Sequence, residues 1–300
     1  AGILQATHIS TRNRTNFMDR FSVGVDAHWP TYQSIKEQYG FLSFLGHGAM
    51  ISATCFNDVG GFPLLVAEDI SFTLEAKFKG YLTCFSNEII CEEEYPIDYD
   101  AFKKRHLKWS GGNLEFIQTY TSEIFKSKKL HWFEKIDVVL FTYSLPLTSV
   151  FFIFLSLNLI LLPWLGYSAG YPLWLMTPTT IYLLSPMIND MIFLAKKLTP
   201  FQYFRYMLSS FLLYGSLYWL SLYGATKVWL GIKPKFIVTP KIEQKYSVGE
   251  IIIGNIQEII FSFFLISISL IFTHSFLPVI LIVIPSLSTI YLTLLYKKNI

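Results

Sequence analysis

The spacing of apolar and polar residues divides the chain into two unlike parts. In residues 1–136, charged side chains interrupt the apolar runs throughout, as they do in soluble domains. In residues 137–300, long stretches carry no charge and have the length that crosses a bilayer. The pattern therefore predicts a globular part followed by a membrane-embedded part.

One stretch of the first part, VAEDISFTLEAKFKGY, has a clear helical period. Ile70, Leu74 and Phe78 recur every four residues, which predicts one apolar face of a helix over 70–79. Gly80 follows directly and is a typical helix end. Two acids, Glu68 and Asp69, directly precede this helix.

Other apolar runs of the first part predict further elements. They are a strand at Gly2–Ala6, a helix at Asn16–Gln38, a short helix at 53–59 and a strand pair or strand with a loop over Tyr81–Cys91. The run FLSFLGHGAMI is interrupted by Gly46 and Gly48, and glycines in such a run indicate close approach of the backbone to another group. The basic, aromatic residues 98–118 predict an amphipathic helix at a membrane surface, which Gly111–Gly112 could interrupt.

The second part predicts four membrane crossings. Val138–Leu162 and Pro172–Ala195 each have the length of one crossing, and Ile259–Tyr296, which has no Asp, Glu, Lys or Arg, has the length of two. Residues 201–226 are rich in aromatic side chains and have lysines beyond both ends. These flanks favour a re-entrant or surface segment, and a fifth crossing is the alternative.

Composition supports this division. Only 15% of the residues are charged, against roughly 25% in ordinary globular domains. The net charge of +3 gives no sign of nucleic-acid binding, and the lysines lie beside the apolar stretches, as at a membrane surface. The three cysteines, Cys55, Cys84 and Cys91, match no metal-binding spacing, which favours a reduced setting. We expect a multi-pass plasma-membrane protein whose soluble part faces the cytosol.

Two motifs carry candidate chemistry but also have simple structural explanations. Glu68 and Asp69 stand where an acid could cap the following helix or act as a general base. The stretch FIVTPK, at 236–241, would by itself be a polar loop, because Pro240 forces Thr239 into an extended or turn conformation.

The basic stretch KRHLKW is a third candidate. It suits a cationic surface on anionic lipid, with a tryptophan at the interface. It also suits a clamp in which Arg105, His106 and Lys108 hold a diphosphate and Trp109 stacks on a sugar ring.

The order of these motifs resembles the processive, membrane-integrated family 2 glycosyltransferases, the cellulose-synthase-like β-glycan synthases. That family shows T-E-D or a variant, then Q-x-x-R-W, then F-x-V-T-x-K. Here AED, RHLKW and FIVTPK follow in that order at similar spacing, after GHGAMI and GGF. The resemblance covers nearly the whole chain. It implies a partial α/β domain of the GT-A type, followed by a bundle of about four transmembrane helices, or five, with interfacial helices.

The resemblance assigns roles on the acceptor side. Asp69 matches the catalytic base that takes a proton from the acceptor hydroxyl, and Trp109 matches the tryptophan that stacks on the acceptor sugar. Glu68 and His47 are expected to contact the acceptor, although a structural role for His47 is equally compatible.

On the donor side, Arg105 and Lys108 fall on the Gln and Arg of the family motif and depart from both. Lys108 keeps the charge but lacks the bidentate fork of arginine, which Arg105 could supply instead. The resemblance further implies a gating loop that closes over the nucleotide sugar, with Thr239 and Lys241 towards the donor and Phe236 and Val238 in the loop.

A divalent metal, Mg²⁺ or Mn²⁺, is implied for the whole protein, but no ligand for it is predicted in this chain. The D-x-D that holds the metal in the family precedes the catalytic acid, and no D-x-D stands there. Asp98-Tyr99-Asp100 has the right letters but comes later, and we interpret it as the cap of the clamp helix. The chain is therefore expected to be a C-terminal portion that is inactive alone.

These inferences predict three regions and one activity. Residues 1–97 would be the acceptor-side half of the transferase domain, 98–136 the interfacial clamp helix, and 137–300 the transmembrane region with a gating-like loop near 231–250. The expected activity is inverting transfer of a hexose from a nucleotide sugar to a growing polysaccharide or oligosaccharide, in contact with the bilayer. A single transfer to a lipid acceptor and a non-catalytic membrane scaffold or transport subunit are the alternatives.

Overall fold

The computed structural model describes residues 1–12, 14–167, 173–184, 188–236, 238–242 and 245–297. Its sheet has three strands in the order β2-β1-β3, formed by β1 (Ile3–Ser10), β2 (Ala49–Ile51) and β3 (Thr83–Glu93). β1 pairs antiparallel with β2. It pairs parallel with β3, and this second pairing shifts register between Ala6 and Thr7. The first predicted strand therefore continues to Ser10, and the stretch expected as a strand pair is one long strand.

The helices of the first part follow the predicted order. They are α1 (Asn16–His28), a π-helical turn (Trp29–Gln33), α2 (Ser34–Tyr39), α3 (Ala53–Val59), α4 (Glu68–Phe78), α5 (Tyr99–Lys126) and α6 (Trp132–Tyr143). The prediction of a helix at 53–59 is confirmed, and Gly60 ends it at a φ of 93°. The predicted apolar face of α4 is also confirmed, because Ile70 and Leu74 are buried in a cluster with residues of α5 and α6.

The clamp helix α5 is longer than predicted and does not break at its two glycines. Asp98 caps it, as predicted, because its Oδ1 accepts the Ala101 N–H at 2.8 Å. Two glycines in a helix interior cost roughly 1 kcal/mol each relative to alanine. The helix continues because Gly111 lies against Pro234 and Gly112 lies against Val66.

The second part is helical over most of its described residues. Its elements are α7 (Leu147–Ser156), a π-helical turn (Leu157–Leu161), α8 (Leu162–Trp164), a 3₁₀ turn (Leu173–Leu175), α9 (Met176–Leu184), α10 (Ile188–Leu194), α11 (Pro200–Ser216), α12 (Tyr218–Trp229), α13 (Val248–Gly254), α14 (Ile256–Thr273), a 3₁₀ turn (Leu277–Val279), α15 (Ile280–Leu287) and α16 (Thr289–Leu294).

Three helical stretches of the described residues are long and apolar enough to cross a membrane: Leu147–Trp164, Ile256–Thr273 and Leu277–Leu294. The last two lie where two crossings were expected within Ile259–Tyr296. The first begins nine residues after the predicted start, because residues 138–143 belong to α6 and a turn at 144–146 separates α6 from α7. The predicted span Pro172–Ala195 falls partly outside the described residues. α11 and α12 occupy the segment 201–226 and are not among the three apolar stretches.

A buried ion pair joins the clamp helix to an apolar helix of the second part. Lys103 on α5 donates from Nζ to the Gly254 carbonyl at 2.6 Å, to Asn255 Oδ1 at 3.0 Å and to Glu258 Oε1 at 3.3 Å. The Lys103 and Glu258 side chains are only 11% and 3% exposed, so the pair is shielded from water. The position of α5 is thereby fixed relative to α14.

Candidate functional site

Asp69 lies in the first turn of α4, but it does not cap that helix. The N-cap position is Ala67, whose side chain makes no capping hydrogen bond. Asp69 Oδ1 instead accepts the N–H of Ile70 at 2.8 Å. Burial raises the pKa of Asp69, as does repulsion from Glu68, while the Ile70 hydrogen bond and the Lys108 ammonium act to lower it. A partly buried carboxylate with a raised pKa suits a general base.

A tight turn at Gly46–Gly48 approaches Asp69. Gly46 has a φ of +85°, and a Cβ placed there would lie 3.3 Å from Asp69 Oδ2. Thr73 attaches this turn to α4, because it accepts the Phe44 N–H at 3.0 Å and donates to the Asp69 carbonyl at 2.9 Å. The predicted close approach at the glycines is confirmed, and at Gly46 the group approached is the candidate base.

The clamp helix holds the chain just before Asp69. A Cβ at Gly112 would lie 3.1 Å from Val66 Cγ1 and 3.4 Å from the Ala67 nitrogen. One turn further along α5, Glu115 Oε2 accepts the Val66 N–H at 3.1 Å. The missing side chain at Gly112 therefore lets α5 set the position of the two acids.

Arg105, Trp109 and Gly112 are spaced by four and three residues and share one face of α5. The Arg105 guanidinium lies 4.6 Å from the centre of the Trp109 ring and also contacts the Tyr95 and Phe102 rings. The Trp109 side chain remains 46% exposed. This face presents a cation and an aromatic ring beside the segment that carries Asp69.

The adjacent face of α5 contacts the loop predicted to be a gate. Lys108 Nζ lies 4.4 Å from the centre of the Phe236 ring. At Gly111, one turn further on, a Cβ would lie 2.9 Å from Pro234 Cβ. Gly111 and Gly112 thus admit two different segments, one on each side, which accounts for both glycines in an unbroken helix.

Two hydrogen bonds hold the far end of this loop. Arg14 donates to the Lys241 carbonyl at 3.1 Å, and Tyr246 donates to Asp98 Oδ2 at 2.9 Å. The side chains of Val238 and Lys241 are exposed, Thr239 is half-buried, and Ile237 lies outside the described residues. The loop therefore lies across the start of the clamp helix.

The sequence family model named Glycosyl transferase family group 2 matches residues 1–296. The chain belongs to this family. Among curated proteins, this chain is similar to glucomannan 4-beta-mannosyltransferase 1 of Oryza sativa subsp. japonica. The two are 24% identical over 119 residues, and this stretch covers 39% of the present chain and 23% of the rice protein. The chain is also 22% identical over 119 residues to glucomannan 4-beta-mannosyltransferase 2 of Arabidopsis thaliana, a stretch that covers 39% of the present chain and 22% of that protein. The aligned stretch therefore spans less than a quarter of either relative.

In this family 2 protein, the structure brings most predicted site residues to one region. Asp69 and Glu68 adjoin α5, and Arg105, Lys108 and Trp109 project from that helix. The interpretation of His106 as part of the clamp was wrong. His106 is buried, its Nε2 lies 2.6 Å from Ser221 Oγ on α12, and burial followed by repulsion from Arg105 lowers its pKa to about 4.

A polar cluster beside the turn was not foreseen from sequence. His8, His47 and Glu93 bring ligand atoms within 4.8 Å of one another. His47 Nε2 lies 2.7 Å from Glu93 Oε2, and His8 Nδ1 lies 3.3 Å from the same oxygen. The hydrogen bond to Glu93 raises the pKa of His47. Burial alone would raise the pKa of Glu93, but hydrogen bonds from both histidines outweigh it and lower the pKa to about 2.

Gln5 determines which ring nitrogen of His8 faces Glu93 as a donor. Its Oε1 accepts the Leu45 N–H at 3.0 Å, and its Nε2 lies 3.1 Å from the carbonyls of both His47 and Gly48, so the amide nitrogen faces acceptors. The same Nε2 is 3.2 Å from His8 Nε2, which must therefore accept. The proton of His8 is then on Nδ1 and points to Glu93. His8 thus supports Glu93, while the exposed His47 and the half-buried Glu93 carry the atoms that fit a divalent metal.

This cluster could not be predicted from residues that are close in sequence, because it depends on how β1 pairs with β3. Glu93 is 85 residues after His8, and only the parallel register of β1 and β3 brings the two strand ends together. Gln5 and His8, two polar residues in the first predicted strand region, were the only indication in the sequence, since buried polar side chains need hydrogen-bond partners.

Proposed function

We propose that the protein containing this chain is an inverting glycosyltransferase that moves a hexose from a nucleotide sugar to a growing polysaccharide or oligosaccharide at the membrane. Membership of the family supports glycosyl transfer. The names of the two plant relatives suggest a β-linked hexose product. The three apolar helices support the association with a bilayer.

One observation carries the proposal. Asp69 lies between the Gly46 turn and the face of α5 that bears Arg105 and Trp109, and the chain before it is fixed to α5 at Gly112. A carboxylate, a cation, an exposed aromatic ring and an adjoining loop are the groups that this reaction needs. A structural cap would require none of the other three.

The step follows from these positions. The acceptor sugar stacks on the exposed part of Trp109 and directs a hydroxyl to Asp69, which accepts its proton. The hydroxyl oxygen forms the bond to the anomeric carbon as the bond to the diphosphate oxygen breaks, and the configuration at that carbon inverts. The leaving diphosphate takes the electron pair, and Arg105 and Lys108 stabilise its charge. The positive charge that faces the diphosphate would be increased by a divalent metal when one is bound.

The loop at 232–242 completes the site. With Phe236 on Lys108 and Pro234 at Gly111, it covers the α5 face from which Lys108 projects. Thr239 and Lys241 are assigned to the donor and Phe236 and Val238 to the closing loop. Closure excludes water from the activated sugar, so that the acceptor rather than water is glycosylated. Glu68 and His47 are assigned to the acceptor side, where the Gly46 turn lies.

The proposal is tested by incubating the purified full-length protein in nanodiscs with UDP- or GDP-hexoses. Release of nucleoside diphosphate, with acceptor-dependent growth of long chains, is the expected result. A product with one added sugar on a lipid would favour the single-transfer alternative. Donor binding or product conduction without any released diphosphate would contradict the proposal and favour a scaffold or transport subunit.

A further inference from the structure

The cluster at His47 lies directly beside the proposed base. Gly46 precedes His47 and is the residue whose backbone approaches Asp69 Oδ2. The His47 side chain is 54% exposed and that of Glu93 is 20% exposed, so the pair is accessible from solvent. A group bound between them would therefore lie at the edge of the transfer site.

We propose that His47 Nε2 and Glu93 Oε2 are ligands of a divalent first-row cation, and that its open positions face the acceptor beside Asp69. The role beside Asp69 rests on the proposed function, whereas the binding of the cation does not. Carboxylate oxygen suits Mn²⁺ and imidazole nitrogen suits the later first-row ions, so the mixed pair fits a cation of this series.

The spacing of the two atoms fits this assignment. Neighbouring ligands of an octahedral ion with bonds of about 2.1 Å stand about 3.0 Å apart. The two atoms are now 2.7 Å apart, so the cation takes the place of the shared proton after a shift of about 0.3 Å.

Supporting hydrogen bonds for both ligands are already present. His47 Nδ1 lies 3.3 Å from the Leu45 carbonyl, so its N–H points to the backbone and Nε2 is the nitrogen left for a metal. His8 Nδ1–H donates to Glu93 and is itself oriented by Gln5 and by stacking on Trp29, with ring centres 4.0 Å apart. Ligand imidazoles and carboxylates in metal sites are held by hydrogen bonds of this kind.

The test uses Mn²⁺ alone with the full-length protein in nanodiscs, followed by pulsed electron paramagnetic resonance. A directly bonded imidazole gives the ion a ¹⁴N coupling, which an all-carboxylate site elsewhere in the protein lacks. The wild type should show this coupling. His47→Gln should abolish it, and Glu93→Gln should weaken Mn²⁺ binding at the coupled site by roughly 10-fold or more. The matched controls, Glu92→Gln and His131→Gln, should leave both unchanged.

His8 provides a second, independent check. His8→Asn should keep the ¹⁴N coupling while weakening binding roughly 10-fold, because His8 supports a ligand and is not one. Absence of coupling in the wild type, or its persistence in His47→Gln, overturns the site. Loss of coupling in His8→Asn with retention in His47→Gln overturns the choice of ligand. Sugar transfer measured on the same samples separates the two claims, since transfer by a wild type without coupling leaves the proposed function standing.

Discussion

Lys108 Nζ lies 4.4 Å from the centre of the Phe236 ring, which joins the clamp helix to the loop at 232–242 through one cation–aromatic contact. The contact is made at a position where the family motif has arginine. Lysine here therefore has two roles, a charge towards Asp69 and a contact for the loop.

Replacing Phe236 by leucine should loosen the loop. An exposed cation–π contact contributes about 0.5–1 kcal/mol, so the KM for the nucleotide sugar should rise about 2- to 5-fold with little change in kcat. Hydrogen exchange of 232–242 should increase in parallel. Ile242→Ala is the control, because its side chain is 78% exposed and has no assigned role in the site. Equal kinetics in the two variants would refute the docking role of Phe236.

Replacing Gly112 by alanine should separate activity from stability. Alanine favours an uninterrupted helix by roughly 1 kcal/mol, but its Cβ would displace Val66 and Ala67 and with them Asp69. We expect unchanged or slightly reduced thermal stability and a fall in kcat of up to about 100-fold, which is the cost of misplacing a reacting group by about 1 Å. Gly249→Ala is the matched control, since a Cβ there meets nothing within 4 Å. Full activity in Gly112→Ala would show that this contact does not position the base.

The acidic limb of the pH profile should belong to Asp69. Burial raises its pKa, and an aspartate base works only when deprotonated, so kcat/KM should rise with pH through that pKa. Lys108→Gln removes a cation that lowers the pKa and should move the limb to higher pH. Glu68→Gln removes a repulsive charge and should move it to lower pH. Lys104→Gln, which alters a surface pair with Asp100, should leave it unchanged. A limb that is identical in all four proteins would mean that another group titrates.

The pair of Lys103 and Glu258 should be needed for folding. Removing one partner of a buried ion pair typically costs about 3–5 kcal/mol, because the other charge is left buried and unpaired. Glu258→Leu should therefore lower the thermal midpoint markedly, and the double variant with Lys103→Met should recover most of the loss. The exposed Lys104, changed to methionine, should cost about 1 kcal/mol or less. Thermal unfolding in nanodiscs measures all four. A double variant as unstable as Glu258→Leu would show that the charges are not coupled.

Local features were the best predicted from sequence. The helix at 53–59, the Asp98 cap and the buried face of Ile70 and Leu74 each depend on residues a few positions apart. The order of the motifs also indicated which residues of α5 lie near Asp69. These predictions needed only periodicity, capping chemistry and motif order.

Features that depend on distant contacts were not predicted. The Gly111–Gly112 pair suggested a break, because helix propensity alone counts against glycine and says nothing of Pro234 or Val66. His106 shares a helix with Arg105, yet it faces α12 and is buried there. The position of each depends on a segment far away in the chain.

The central claim is that Asp69 is the base, and one comparison tests it most directly. The full-length protein with Asp69→Asn should bind the nucleotide sugar within about 3-fold of the wild type, as measured by calorimetry. It should lose transfer by a factor of about 10²–10⁴, which is the contribution typical of a general base. Glu123→Gln, which changes an exposed acid of α5, should retain most of the activity. Transfer by Asp69→Asn at close to the wild-type rate, with donor binding intact, would contradict the account.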